Sequence, residues 1–221
     1  MGNSRFFIVG LLALGSLLFT AASYAIDIPQ GSGEYAKIDT QLARSTLKAL
    51  QGTAAQQNAA VAAVLKSPKD YEPQVFYALS SVLFAKGRRD EAAFWFYAGQ
   101  LRAKYDANRC ADDSASQELS ILNDQYGLQI NQYAMRSPDF LQKTIASVVA
   151  WDKATPHDYD PRWINLYGFN ATQQGADPRP PLFSQPKAQW DQIAEMTRRD
   201  YQDSFDQAIA KMKAKPVPAG N

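Results

Sequence analysis

Ala92-Ala93-Phe94-Trp95-Phe96-Tyr97 constrains this chain more than any other stretch. Six consecutive apolar residues, four of them aromatic, stand between Asp90-Glu91 and Gln100-Leu101-Arg102. A helix that is apolar on all sides has no face to give to water, so it must run through the middle of the molecule. The segment before it, residues 73–86, carries Phe76, Leu79, Val82 and Leu83 and stops at Gly87, whose freedom at positive φ suits a helix end. The pattern predicts a helical hairpin of residues 73–86 and 90–104. In it Asp90 accepts hydrogen bonds from the free amides of the second helix, and Glu91 complements that helix's dipole.

The rest of the chain is read around that hairpin. Tyr35, Ile38, Leu42, Thr46 and Leu50 recur at steps of three and four, predicting one amphipathic helix that ends at Gly52. Thr53 caps an alanine-rich helix to Lys66, and Ser67-Pro68 and Glu72-Pro73 punctuate the turn that follows. Asp112, Asp113 or Ser114 begins a further helix, with Leu119, Ile121, Leu122 and Tyr126 as apolar contacts, that Gly127 kinks or ends. Ser137-Pro138 restarts the helical pattern, serine as cap and proline at the first helical position. That helix buries Phe140, Leu141, Thr144, Ile145, Val148 and Trp151. A last helix over 187–212 has Trp190, Ile193, Thr197, Tyr201, Phe205, Ala208, Ile209 and Met212 on one stripe, and the tail 213–221 is expected to fray. The expected fold is all-α, a compact bundle of about seven helices with the hairpin at its centre.

Residues 155–186 break the pattern with six prolines and two glycines. Trp163, Ile164, Leu166, Tyr167, Phe169, Leu182 and Phe183 make this stretch too aromatic for a disordered linker. It reads as an ordered loop over the helical body, with a short helix at 161–167.

The N-terminus is read as an address. Arg5, the apolar run 6–19 and the exit Ser23-Tyr24-Ala25 have the layout of a secretory signal peptide cleaved after Ala25. The run falls short of the roughly 20 residues of a membrane span, so no stable membrane insertion is expected after cleavage. Residues 26–221 then form a single helical domain in the periplasm. Lys and Arg number 23 against 22 Asp and Glu, and losing Arg5 leaves 22 of each. That balance argues against nucleic-acid binding, which needs cations for phosphates. Cys110 is the only cysteine, so no internal disulfide forms; it is a buried small hydrophobe or a reactive thiol.

Little in the chain points to chemistry. His157 is the only histidine, and no G-x-S-x-G accompanies it. His157, Asp158 and Asp160 lack zinc-site spacing, so neither a metal nor another cofactor is expected and His157 reads as a surface residue. Asp112-Asp113, Glu118 and Asp124 are not placed as a catalytic carboxylate pair, and capping accounts for Asp112 or Asp113. Arg88-Arg89 beside Asp90-Glu91 reads as local charge balance. No enzyme activity is therefore expected. The remaining candidates are Asp158, Tyr159, Asp160, Arg162, Trp163 and Tyr167. Their aromatic, acidic and Arg side chains suit the centre of a protein interface, and pinning the loop to the body is the competing account.

Two resemblances add to this. Phe76, Leu79, Gly87, Ala92 and Phe96 fall where a tetratricopeptide-like hairpin has its aromatic, leucine, turn glycine, small and second aromatic positions. Ser80 replaces its packing glycine and Lys104 its closing proline, and no second copy follows at a period near 34 residues. The run from Gly87 to Arg102, with Arg109-Cys110, Leu122-Asn123-Asp124 and Ile130-Asn131, resembles small exported proteins of Gram-negative bacteria. Some of these are immunity proteins that neutralise type VI secretion lipase effectors, particularly of the phospholipase D type, in the periplasm. The resemblance, over residues 75–150, implies a helical protein that blocks a cognate phospholipase effector at its active site and brings no site residues of its own. The alternative is an exported solute-binding module or an enzyme with an unrecognised site. The sequence leaves the oligomeric state open.

Overall fold

The computed structural model describes residues 27–173 and 180–214. The signal-peptide reading lies outside these residues, as do 174–179 of the aromatic loop and 215–221 of the tail. The described chain is all-helical: α1 (Gln41–Leu50), α2 (Ala54–Lys66), α3 (Pro73–Ala85), α4 (Arg89–Arg109), α5 (Gln117–Ala134), α6 (Pro138–Ala154), the single turn α7 (Phe169–Thr172) and α8 (Trp190–Ala214). Short 3-10 turns at Gly33–Lys37, Pro68–Asp70, Asp113–Ser116, Pro161–Tyr167 and Lys187–Gln189 join them. Among the described residues the only extended pairing is a lone bridge between Cys110 and Ser184.

α4 is the axis. It packs most extensively on α3 and also touches α5, α6 and α8, as its apolar circumference requires. Ala92, Ala93, Phe96, Ala98, Leu101 and Ala103 are wholly buried. Around them Phe76, Trp95 and Trp151 form a chain of tilted and edge-on rings with centroids 5.2–5.3 Å apart. Tyr77 meets Phe96 edge-on at 5.4 Å. Such pairs each add about 0.5–1.5 kcal/mol beyond their buried area. Buried apolar residues from Ile28 to Ile209 form one contiguous cluster.

The local signals account for most boundaries. Gly87 has φ of +78°, and Arg88 N–H closes the α3 end on the Leu83 carbonyl at 3.0 Å. Thr53 and Gln56 make a reciprocal capping box at the start of α2. Ser137 Oγ accepts from Phe140 N–H with Pro138 at the first helical position of α6.

Several expectations are corrected. α4 begins at Arg89, and Asp90 lies inside its first turn, where it accepts from Tyr133 Oη instead of capping amides. It also runs to Arg109, because Lys104 puts no proline in its path. No helix starts at Tyr35: the chain makes a 3-10 turn, breaks at Ile38–Thr40 and begins α1 at Gln41. The buried face of α1 is therefore Ala43, Thr46, Leu47 and Leu50, and Leu42 is exposed. Asp39 N–H bonds to Asp160 Oδ2 at 3.0 Å, a tie that fixes the break. Gly127 does not end α5, which runs on to Ala134. The Phe96 ring lies 3.0 Å from where a Cβ would sit, so glycine is what lets α5 approach α4 closely. Ile121, expected in the core beside Leu122, is exposed.

Candidate functional site

Three residues of α4, Arg102, Asp106 and Arg109, share one face at steps of four and three, and all are buried. They are the polar exception among the buried residues of that helix. Asp106 is saturated: Oδ1 accepts from Arg109 Nε and Nη2, both at 3.1 Å, and Oδ2 from Tyr159 Oη at 2.9 Å and Trp163 Nε1 at 2.7 Å. Arg109 Nη2 also donates to the Pro161 carbonyl.

A second carboxylate, Asp152 near the end of α6, anchors the other half. Its Oδ1 meets Arg102 Nε and His157 Nε2, both at 3.0 Å, and its Oδ2 accepts from Arg198 Nε of α8 at 2.8 Å. Burial alone would raise this carboxyl. His157, Arg102 and Arg198 outweigh that and hold it down to about 2. Arg102 Nη2 donates to the Thr155 carbonyl at 2.9 Å, and its guanidinium lies 4.3 Å from the Trp151 ring centre. His157 is thus not a surface residue. It stacks on Tyr159 and stands edge-on to Tyr105.

Where α4, the 155–161 segment and the start of α8 meet, they enclose a cleft of about 350 Å³. Arg109, His157 and Arg198 line it, with Tyr105 and Trp190 as aromatic walls and Asp191 at its edge. The Trp190 ring centre is 4.8 Å from the Arg109 guanidinium carbon. Sequence reasoning missed this constellation. Only the proximity of His157 to a loop rich in Asp and Tyr hinted at it.

The six residues expected at an interface fall differently. Tyr159 and Trp163 are buried as donors to Asp106, and Trp163 is fully enclosed. Tyr167 is largely covered, with its hydroxyl on Gln74 Oε1 at 3.0 Å. These three aromatics pin the loop to α3 and α4, which corrects the reading of them as exposed anchors. Asp160 caps the 161–167 turn through Arg162 N–H and pairs with the Arg162 guanidinium at 2.6 Å. Asp158 remains exposed and pairs with Lys69 at 2.5 Å. Of the six, only Asp158 and Arg162 keep substantial solvent contact.

The other candidates are structural. Asp112 accepts from Ser114 N–H and from Asn170 N–H, joining the 113–116 turn to α7. Cys110 is buried with its thiol 3.2 Å from Asn165 Oδ1, and burial pushes that thiol up. Arg88 pairs with Glu91. Among the described residues no cluster of three His, Cys, Asp or Glu could hold a metal ion, and no helix is long and apolar enough to cross a membrane.

An unexpected surface feature lies on α5. Ile121, Leu128 and Met135, spaced seven apart, are 56%, 68% and 48% exposed. Seven residues drift only about 20° around a helix, so the three side chains form one outward stripe. Asp124, Gln129 and Gln132 rim it. Comparison with protein-family models, with curated proteins and with solved structures finds no match to this chain.

Proposed function

We propose that this chain is a periplasmic immunity protein that binds a secreted phospholipase effector and blocks its active site, without performing chemistry itself. The observation that carries the binding part is the row of three large apolar side chains, Ile121, Leu128 and Met135, left exposed at seven-residue spacing along one side of α5 and its C-cap. α5 is also held rigidly, by Gly127 against Phe96 and by Tyr97 Oη on Asn131 Oδ1 at 2.9 Å. A preformed surface loses little freedom on binding. The nature of the partner and the compartment rest on the resemblance over residues 75–150 and on the signal-like N-terminus.

The test is isothermal titration of the purified mature chain against a candidate phospholipase effector, with inhibition of lipid hydrolysis as the second readout. Stoichiometric binding with loss of hydrolysis is expected. Leu128→Asp should weaken it by thirtyfold or more, from about 2 kcal/mol for a central interface side chain. No binding at micromolar concentrations would overturn the immunity reading. Full binding by a folded Leu128→Asp protein would move the interface off α5.

A further inference from the structure

We infer that the cleft between α4 and α8 is a binding site for a small zwitterion of the amino-acid class. Its carboxylate would be taken by Arg109 and Arg198, its ammonium by Asp191, and its side chain would lie on Trp190. The inference is independent of the toxin reading and uses a different face of the molecule.

The internal hydrogen bonds show which donors are free. Asp106 and Asp152 engage Nε and Nη2 of Arg109 and Nε of Arg198, while Glu195 takes Arg198 Nη1 at 3.0 Å. That leaves Arg109 Nη1 and Arg198 Nη2 without a partner among the described residues. Both guanidiniums are locked by buried carboxylates, so they are pre-oriented, and two fixed arginine donors suit a carboxylate. Arg109 is 1% exposed yet lines the cleft, so the cleft is where its free donor can be satisfied.

The negative group selects among anions. Asp191 lines the same cleft, is exposed and enters no ion pair among the described residues. A simple anion would be repelled by it, whereas a ligand with an ammonium group gains a partner. Tyr105 and Trp190 supply the apolar wall. The volume is at the small end of ligand pockets, roughly 300–1,000 Å³. An amino acid fits a cleft of this size.

The experiment titrates the full mature chain with phenylalanine, phenylalaninamide and N-acetylphenylalanine, followed by calorimetry and by Trp fluorescence. Phenylalanine is the probe because its ring suits the Trp190 wall. Saturable binding of phenylalanine is expected, with at least tenfold weaker binding of the amide, which lacks the carboxylate, and of the acetyl form, which lacks the ammonium. Asp191→Asn, a change at an exposed position, should abolish the preference for phenylalanine over its acetyl form while leaving the penalty on the amide. Arg198→Lys should weaken phenylalanine binding at least tenfold with the melting temperature as a folding control. Equal binding of all three probes, equal binding of phenylalanine and its acetyl form, or no binding of phenylalanine at millimolar concentration would each overturn the inference.

Discussion

Glu72 offers the sharpest test of the interior electrostatics. It stands at the N-cap of α3, is 2% exposed, and its Oε2 has no hydrogen-bond partner; Gln74 Nε2, two residues on, is likewise buried and unpaired. Burial is the main force on this carboxyl, and the nearby Asp39, Asp160 and Asp106 add to it. Against one backbone hydrogen bond that favours ionisation, they push it from 4.5 up to about 8. Below pH 4.5 the group is protonated folded or unfolded and costs nothing. Between 4.5 and 8 the unfolded chain releases the proton while the folded chain keeps it, so stability falls as pH rises; above 8 the loss is complete. The gap, at about 1.4 kcal/mol per pH unit, amounts to about 5 kcal/mol. Glu72→Gln keeps the shape and removes the titration. Urea unfolding at pH 5 should give the variant and the wild type stabilities within about 1 kcal/mol. At pH 9 the variant should be the more stable by several kcal/mol. Glu118, raised to about 7 by burial, leaves a smaller slope of the same sign in the variant. The reasoning is refuted if wild type and Glu72→Gln have the same stability at both pH values.

Other outcomes follow from the packing and the chain start. Phe96→Ala, emptying a wholly buried site between Tyr77 and Gly127, should cost about 3–5 kcal/mol, and an unchanged melting temperature would remove Phe96 from the core. Asp106→Asn leaves the buried Arg109 without its charge partner and should cost a further-reaching 3–5 kcal/mol, roughly, with Trp163 fluorescence changing in the native state; a protein as stable as wild type would show that the four donors do not depend on the charge. Intact-mass analysis of a periplasmic extract should find a chain beginning at Ile26, and a mass retaining residues 1–25 would contradict cleavage after Ala25.

The features that were legible in the sequence are those written in a few adjacent residues. Gly87, the Thr53 cap, Ser137-Pro138 and the aromatic run of α4 each state a local geometry, and each appears as read. The first helix was misjudged because Tyr35 and Ile38 keep helical spacing across a break that is fixed by Asp160, 121 residues away. The aromatics of the 159–167 segment were ambiguous for a similar reason. A Tyr or Trp in a loop anchors a partner or its own body equally well, and only the position of Asp106 decides. The cleft was hidden because Arg109 looks like the soluble end of a helix until Tyr159 and Trp163 are seen to enclose its partner Asp106, more than fifty residues before them, and Arg198 of α8 to meet Asp152.

The polar row of α4 has a consequence for uniqueness. A rod that is greasy around its whole circumference can be turned about its long axis with little change in the area it hides from water, so hydrophobicity alone does not tell it which way to face. Arg102, Asp106 and Arg109 break that degeneracy, since rotating the rod would strand ions in the interior with nothing to meet them. They act as a key in a slot. A chain in which leucine or methionine replaced all three, with Asp152 made neutral, could melt at a higher temperature and still settle into several rotational settings, seen as multiplied or broadened methyl resonances.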